Sequence, residues 1–226
     1  MQHPIRIWDL PTRLFHWTLA AATIALVVSA KLGGNAMMLH QRLGYLVLAL
    51  LVFRLAWGLV GGHWSRFARL LYSPARLLRY LRGQGQPHED EVGHSPTGAL
   101  AVFALLASLL LQVLSGLASD DEISFTGPLA SLLPGEWVSR ATWYHADVGQ
   151  YLLLALVGLH LLAVAFYALV RRRSIVRPML TGDKQLPATV PASRDSLGTR
   201  LLALGLLLLA GLLAWWVSRL DAGAGF

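Results

Sequence analysis

The chain has 226 residues, of which 55% are hydrophobic and 14% charged, and its mean hydropathy is +0.54. These values are typical of an integral membrane protein and exclude an ordinary soluble domain. The net charge of +7 comes mostly from basic residues beside apolar stretches, so membrane topology explains it better than nucleic-acid binding. Because the chain contains no cysteine, disulfides, thiolate-bound metals and thioether-attached cofactors are excluded.

Five apolar stretches are each long enough to cross a bilayer as a helix, which takes ~17–25 residues. In chain order they cover residues 14–31, 40–60, 97–118, 145–170 and 200–217. We therefore predict an all-α integral membrane protein with five spans. The first stretch loosely resembles a signal peptide, but the region before it is long and contains Trp8, Asp9 and Pro11, so we interpret it as a span.

Lysine and arginine are distributed unequally between the two sides of the predicted spans. Fourteen of them lie in the N-terminal segment, in residues 61–96 and in residues 171–200. The opposite side has only Lys31, Arg140 and Arg219. Because basic residues concentrate in cytoplasmic loops, we expect the N-terminus in the cytoplasm and the C-terminus outside.

The segments around the spans carry weaker signals. Arg76, Arg79 and Arg82 alternate with leucines, which predicts an amphipathic segment along the anionic inner surface of the membrane. Residues 183–199 are rich in Pro, Ser, Thr and Gly and are predicted to be a polar linker. In the last span, residues 201–218 include no ionisable residue and carry two interfacial tryptophans near their end, so we expect an accessory helix that packs against a partner subunit.

Four of the eight histidines lie in or just inside the spans: His16, His40, His145 and His160. His16 opens an outward-running helix and therefore lies towards the cytoplasmic side, at the depth of His160. His40 opens an inward-running helix and lies towards the outer side, at the depth of His145. The two histidines of the fourth span are ~22 Å apart along the helix and ~60° apart around it, so both can face one interior.

Two pairs of facing imidazoles at two depths, His16 with His160 and His40 with His145, suit two bis-histidine haems in a helical bundle. Two histidines on each iron leave no site for oxygen chemistry, so electron transfer is the expected function. The alternatives are hydrogen-bonded core histidines, a metal transporter or a proton relay. Matched depths for all four residues favour haem.

Four motifs follow one another along the chain: RIWDLPTRLFHW, LHQRLGY, FRLAWGLVG with RF after it, and GHSPTGAL before a leucine-rich span. Together they resemble the bacterial cytochrome b561 family, which includes the b-type cytochrome subunits of Ni,Fe-hydrogenases. The resemblance covers about residues 5–182. It implies two non-covalent b haems whose ligands match His16, His40, His145 and His160. Ser95 stands where the family usually has Asn, which affects a local hydrogen bond.

The resemblance also implies a domain organisation. Residues 1–182 would form a cytochrome b561-like four-helix transmembrane haem-binding bundle, residues 183–199 a polar linker, and residues 200–226 one extra C-terminal transmembrane helix with a short tail. The family is found in the bacterial inner membrane, so we expect a multi-pass protein embedded in that lipid bilayer.

The implied function is electron transfer across the inner membrane between the quinone pool and a redox partner. A periplasmic c-type cytochrome or a hydrogenase subunit would fit that partner. One alternative is a self-contained quinone-coupled oxidoreductase that oxidises a small reductant such as superoxide. Another is a histidine-lined metal or proton transporter.

Other polar residues have both a functional and a structural interpretation. Arg42 and Arg54 are expected to be buried charges inside the second span, where haem propionates would be suitable acceptors and snorkelling to lipid headgroups is the alternative. His94, just before the third span, either caps a helix or lines a quinone or propionate site. The acidic residues 120–122 are either a solvated loop or a docking patch for a basic redox partner.

Overall fold

A computed structural model describes residues 2–85, 92–123, 125–187 and 189–220. In chain order its elements are β1 Gln2–Arg6, α1 Leu10–Leu32, α2 Ala36–Val60, α3 Pro74–Leu81, α4 Pro96–Leu117, α5 Gly135–Val170, α6 Val176–Thr181, β2 Asp183–Pro187 and α7 Leu197–Val217, with single 3-10 turns at Phe67–Arg69 and Ala130–Leu132. Helices α1, α2, α4, α5 and α7 are long and apolar enough to cross a membrane. The prediction of a mostly helical membrane protein with five spans is confirmed.

The fourth span is longer than predicted and changes its helical geometry twice. It begins at Gly135, after Pro134, rather than at residue 145. Within it, Tyr144–Gly149 and Phe166–Val170 are π-helical, whereas Gln150–Ala165 is α-helical. Single π turns inside α-helices occur frequently at functional sites. The first π turn of α5 contains His145.

The chain clusters into two compact units. Unit 1 consists of Met1–His16, Arg54–Ala104 and Val157–Leu206, and unit 2 consists of Trp17–Phe53, Leu105–Leu156 and Leu207–Phe226. Each unit contains parts of the long helices, so each is built from segments that are distant in sequence.

In unit 1, the buried carboxylate of Asp9 caps the start of α1. It accepts hydrogen bonds from the backbone N–H of Thr12 at 2.8 Å, the Trp57 indole at 3.2 Å, the Gly62 N–H at 3.1 Å and the Ser65 hydroxyl at 2.7 Å. A buried charge is tolerated only when it is hydrogen-bonded in this way. The four bonds join the beginning of α1 to the end of α2 and to the turn after it.

A two-stranded antiparallel sheet occupies part of the predicted linker. Strand β2 pairs with β1 so that Arg6 lies opposite Asp183. The Arg6 guanidinium donates to Asp183 at 2.6 Å and to Asp195 at 2.5 Å. The Ser193 hydroxyl donates to the Ile7 carbonyl at 2.7 Å. Residues 183–187 and 193–195 are therefore packed against the N-terminal segment instead of forming a free linker.

Helix α3 has the amphipathic pattern that the sequence predicts. The hydroxyl of Ser73 accepts a hydrogen bond from the Arg76 N–H at 3.3 Å and caps the helix. Leu78 and Leu81 are 52% and 63% exposed, on a face away from the guanidinium of Arg76. The location of helix α3 on an anionic membrane surface stays a prediction.

The carboxylate of Asp9 gives a test of the fold of unit 1. In Asp9→Asn one carboxylate oxygen becomes an NH2 group, which cannot accept bonds from Gly62 and Ser65. Buried donors left without acceptors cost ~1–3 kcal/mol each, so the melting temperature in detergent should fall clearly. Glu136→Gln is the control, because its exposed ion pair with Arg140 is worth ~0–1 kcal/mol. Equal melting of Asp9→Asn and the unmodified protein would contradict the capping role.

Candidate haem sites

The structure brings the four span histidines together as two pairs. In unit 1 the ring centroids of His16 and His160 are 6.5 Å apart, with the ring planes at 57°. In unit 2 the centroids of His40 and His145 are 6.1 Å apart, with the planes at 88°. All four rings are half-buried. These are the two pairs expected from the depths of the residues along their helices.

The spacing within each pair can be compared with that of two imidazoles on one iron. With metal–imidazole bonds of ~2 Å and ~1.2 Å from each nitrogen to its ring centre, the centres of two opposed ligands are ~6.4 Å apart. The observed 6.5 and 6.1 Å agree with this value. Each pair could therefore supply the two protein ligands that a bis-histidine b haem needs.

Hydrogen bonds determine which nitrogen is protonated in the histidines of unit 2. His40 Nδ1 lies 3.0 Å from the Leu26 carbonyl oxygen, and His145 Nδ1 lies 2.8 Å from the Gln112 carbonyl oxygen. A carbonyl oxygen can only accept, so Nδ1 carries the hydrogen in both rings and Nε2 carries a free lone pair. A lone pair on Nε2, with Nδ1–H held by a carbonyl, is the form in which histidine binds a metal.

Helix α4 contains no histidine, but two of its residues contact His145. The Gln112 side chain donates to the His145 carbonyl at 2.9 Å while the Gln112 carbonyl accepts from the ring. One turn later, a Cβ at Gly116 would lie 2.7 Å from Cε1 and 2.9 Å from Nδ1 of that ring. A side chain at residue 116 would therefore displace the imidazole, which explains the glycine.

Of the two arginines in α2, the structure buries one. Arg54 is 5% exposed, and its guanidinium lies 4.6 Å from the centre of the Phe67 ring. Its Nη1 is buried and has no hydrogen-bond partner among the residues that the structure describes. A buried cation with an unused donor fits an acidic group such as a haem propionate.

The expectation that Arg42 is buried was wrong. Its side chain is exposed in the first turns of α2, and Nη2 lies 3.6 Å from Met38 Sδ. The residue is close enough to the helix end for its long side chain to leave the apolar region.

His94 precedes α4 in unit 1 and packs edge-on against Trp8, with ring centroids 4.8 Å apart. Its carbonyl accepts a hydrogen bond from the Tyr72 hydroxyl at 2.8 Å. Its Nδ1 is buried with no partner among the described residues. Burial, followed by the charge of Arg54 and the nearby His160 and His16, lowers the pKa of His94 to about 4. His94 is therefore neutral at physiological pH and has an unused buried polar atom.

The acidic residues 120–122 lie at the edge of an open cavity of about 760 Å³ in unit 2, with Asp147 also in its lining. Part of the loop is fixed by Thr142, whose hydroxyl accepts from the Asp120 N–H at 3.0 Å. The acidic groups are thus gathered on one surface, and their use as a docking patch stays a prediction.

Residues 7–182 match the family model described as prokaryotic cytochrome b561. The chain belongs to the prokaryotic cytochrome b561 family. Because the matched region covers most of the chain and includes both histidine pairs, membership makes this cytochrome b561 protein a membrane cytochrome of the b type, with haem b as the implied cofactor. Helix α7 lies outside the match.

Curated relatives agree with this family assignment. A probable Ni/Fe-hydrogenase B-type cytochrome subunit of Bradyrhizobium diazoefficiens is 22% identical over 216 residues, which cover 80% of this chain and 86% of the relative. The protein of the same name from Cupriavidus necator is 24% identical, with 78% and 85% coverage. That of Azotobacter chroococcum is 25% identical, with 80% and 88% coverage.

The low pKa of His94 predicts a pH dependence of stability. An unfolded histidine titrates near 6.5 and the folded one at about 4, so the unfolded state binds more protons between these values. The stability that neutral His94 contributes is fully present above pH 6.5 and is lost as the pH falls towards 4. As the pH falls through this interval, the melting temperature in detergent should therefore decrease less in His94→Gln than in the unmodified protein. His3→Gln is the control: His3 is exposed on β1, so this variant should keep the pH profile of the unmodified protein. The assignment would be refuted if His94→Gln also kept that profile.

Proposed function

We propose that the protein carries electrons through the membrane between quinone and a redox partner, using two bis-histidine b haems. His16 and His160 would hold one haem, and His40 and His145 the other. The observation that carries the proposal is the presence of two imidazole pairs at 6.5 and 6.1 Å, a spacing that suits two ligands of one iron. When bound, haem b supplies a one-electron couple.

The protein residues in this proposal orient the ligands and restrict the chemistry. The carbonyls of Leu26 and Gln112 hold the Nδ1–H groups of His40 and His145, so the rings cannot turn away from the cofactor. An iron held by both imidazoles of a pair would have no open coordination site for oxygen or peroxide. The site would therefore exchange electrons without binding a substrate at the metal.

Two arginines are proposed to bind haem carboxylates. Buried Arg54 is the stronger candidate in unit 1, because its Nη1 has no partner among the described residues and Phe67 covers its guanidinium. Arg42 in unit 2 follows His40 by two residues and is exposed, so it would bind a carboxylate at the rim of that site.

A quinone headgroup needs a hydrogen-bond partner at the edge of the bundle and access to one haem. His94 is the candidate, because its buried Nδ1 has no partner among the described residues and its charge environment includes His16 and His160. As a neutral imidazole it could donate to a quinone or accept from a quinol. We therefore place quinone exchange beside the unit 1 haem.

A hydrogenase is the proposed partner, because the three relatives are each named as a probable Ni/Fe-hydrogenase B-type cytochrome subunit. The apolar surface of α7, with Leu201, Leu208 and Leu212 exposed, offers a site for a membrane segment of that partner. A basic c-type cytochrome at the acidic residues 120–122 is a second candidate, supported by the grouping of carboxylates around one cavity.

The charge distribution supports a membrane orientation with the N-terminus in the cytoplasm and the C-terminus in the periplasm. Alkaline phosphatase is active only outside the cytoplasm, so a fusion after Leu220 should be active and a fusion after Gly83 inactive. A cytoplasmic fluorescent reporter should give the opposite result at the same two positions. Activity of alkaline phosphatase at Gly83 and not at Leu220 would reverse the proposed orientation.

Replacing single histidines tests the haem assignment. His16→Ala and His160→Ala should each remove the same haem, and His40→Ala and His145→Ala should each remove the other. The measurement is the haem-to-protein ratio with the reduced-minus-oxidised spectrum and the two midpoint potentials of purified protein. His63→Ala is the control and should keep two haems. Retention of two haems with unchanged potentials in His40→Ala would show that the proposed pairing is wrong.

A further inference from the structure

A serine in α1 shares the carbonyl that holds His40. The single hydrogen of the Ser29 hydroxyl is shared between the carbonyls of Ala25, at 2.7 Å, and Leu26, at 3.0 Å, and the Leu26 carbonyl also accepts from His40 Nδ1 at 3.0 Å. Ser29 is 2% exposed, and its oxygen lies 3.4 Å from His40 Nδ1. The hydroxyl is thus enclosed directly beside the imidazole N–H.

The same arrangement recurs around His145. The single hydrogen of the Ser115 hydroxyl is shared between the carbonyls of Leu111, at 2.7 Å, and Gln112, at 3.1 Å, and the Gln112 carbonyl accepts from His145 Nδ1 at 2.8 Å. In each case the serine follows the shared carbonyl by three residues. Two different helices therefore place a serine hydroxyl, a carbonyl and an imidazole N–H in the same order.

The shared carbonyl couples the serine to the imidazole. A carbonyl oxygen has two lone pairs, and in a helix the N–H four residues later already occupies part of this capacity. The hydroxyl and the imidazole N–H compete for what remains, so each weakens the bond of the other. A weaker bond at Nδ1 makes the imidazole a less basic ligand. A less basic axial ligand stabilises reduced iron relative to oxidised iron, which raises the reduction potential.

We infer that Ser29 and Ser115 are positioning residues that raise the reduction potential of the haem held by His40 and His145, by sharing the carbonyls that accept the histidine N–H groups. The inference rests on the proposed ligand role of these two histidines. It adds two residues that contact no cofactor atom and act through the ligands.

The position of the His145 ring does not depend on Ser115. The Gln112 side chain holds the backbone of His145, and Gly116 provides the space against which the ring lies. Removal of the Ser115 hydroxyl therefore changes the strength of the Nδ1–H bond and leaves the ring in place. A change in potential with retained haem is the expected signature.

The test is a redox titration of the purified full-length protein in detergent, followed by visible absorption and electron paramagnetic resonance. In Ser29→Ala and Ser115→Ala, one haem should become harder to reduce by about threefold in its equilibrium constant, ~28 mV at 59 mV per decade. It should be the same haem in both variants, namely the one lost in His40→Ala. The other potential should not change.

Two further variants distinguish the effect of the hydroxyl on the potential from the effect of changed packing. Ser115→Thr keeps a hydroxyl that can bond a carbonyl three or four residues earlier, so it should retain the original potential. Ser139→Ala removes a similar bond, from Ser139 to the Gly135 carbonyl at 3.0 Å, at an exposed position where that carbonyl accepts no histidine bond in the described structure. It should leave both potentials unchanged.

The possible failures can be distinguished. Fewer than two b haems in the unmodified protein would refute the proposed function. Two haems in that protein, with both potentials unchanged in Ser29→Ala and Ser115→Ala, would overturn the inference about the serines alone. An equal shift in Ser139→Ala, or in both haems, would overturn it as well. If Ser115→Ala does not fold, Ser29→Ala removes the corresponding hydroxyl beside His40 and decides the question.

Discussion

The hydrogen bond from histidine Nδ1 to a backbone carbonyl is the interaction on which unit 2 depends. An imidazole inside a membrane helix is costly unless both nitrogens have partners. In His40 and His145 the carbonyls of Leu26 and Gln112 satisfy one nitrogen and thereby leave the lone pair of the other for a metal. The same bond therefore decides the tautomer, the direction of the ring and the basicity of the ligand. A side-chain acceptor could rotate, whereas a carbonyl inside a helix is fixed by the helix itself.

This dependence explains why a helix without a histidine is part of the site. Helix α4 presents Gln112 and Gly116 on one face, because residues four apart lie one above the other on a helix. Gln112 holds both the ring and the backbone of His145, and Gly116 leaves the ring its space. The π turn that begins at Tyr144 adds one residue to the helical turn at this point. The positions of the proposed ligands in unit 2 therefore depend on a helix without a candidate ligand as well as on the helices that carry His40 and His145.

Apolar length and the spacing of histidines predicted the five spans and the two pairs, because both follow from the helical rise and from the cost of polar groups in lipid. The sequence did not predict the pairing of β1 with β2 or the salt bridges of Arg6, since these join residues 177 to 189 positions apart and the polar composition around them is typical of a linker. Position in a span also did not show that Arg42 is exposed while Arg54 is buried, because a long side chain near a helix end can leave the apolar region. Ser29 and Ser115 were not predicted either, because a serine inside a helix has no special sequence pattern. Only the structure shows that each bonds a carbonyl that also accepts from a histidine.

The two candidate sites differ in the charged and polar groups around them, and this difference bears on the reduction potentials of the proposed haems. In unit 1 the guanidinium of Arg54 is buried and covered by Phe67, and a buried cation favours the state of a nearby redox centre that holds the additional electron. In unit 2 both ligands donate to carbonyls, and such bonds favour the oxidised state because they raise ligand basicity. Under the proposed assignment, these two effects would give the unit 1 haem the higher reduction potential.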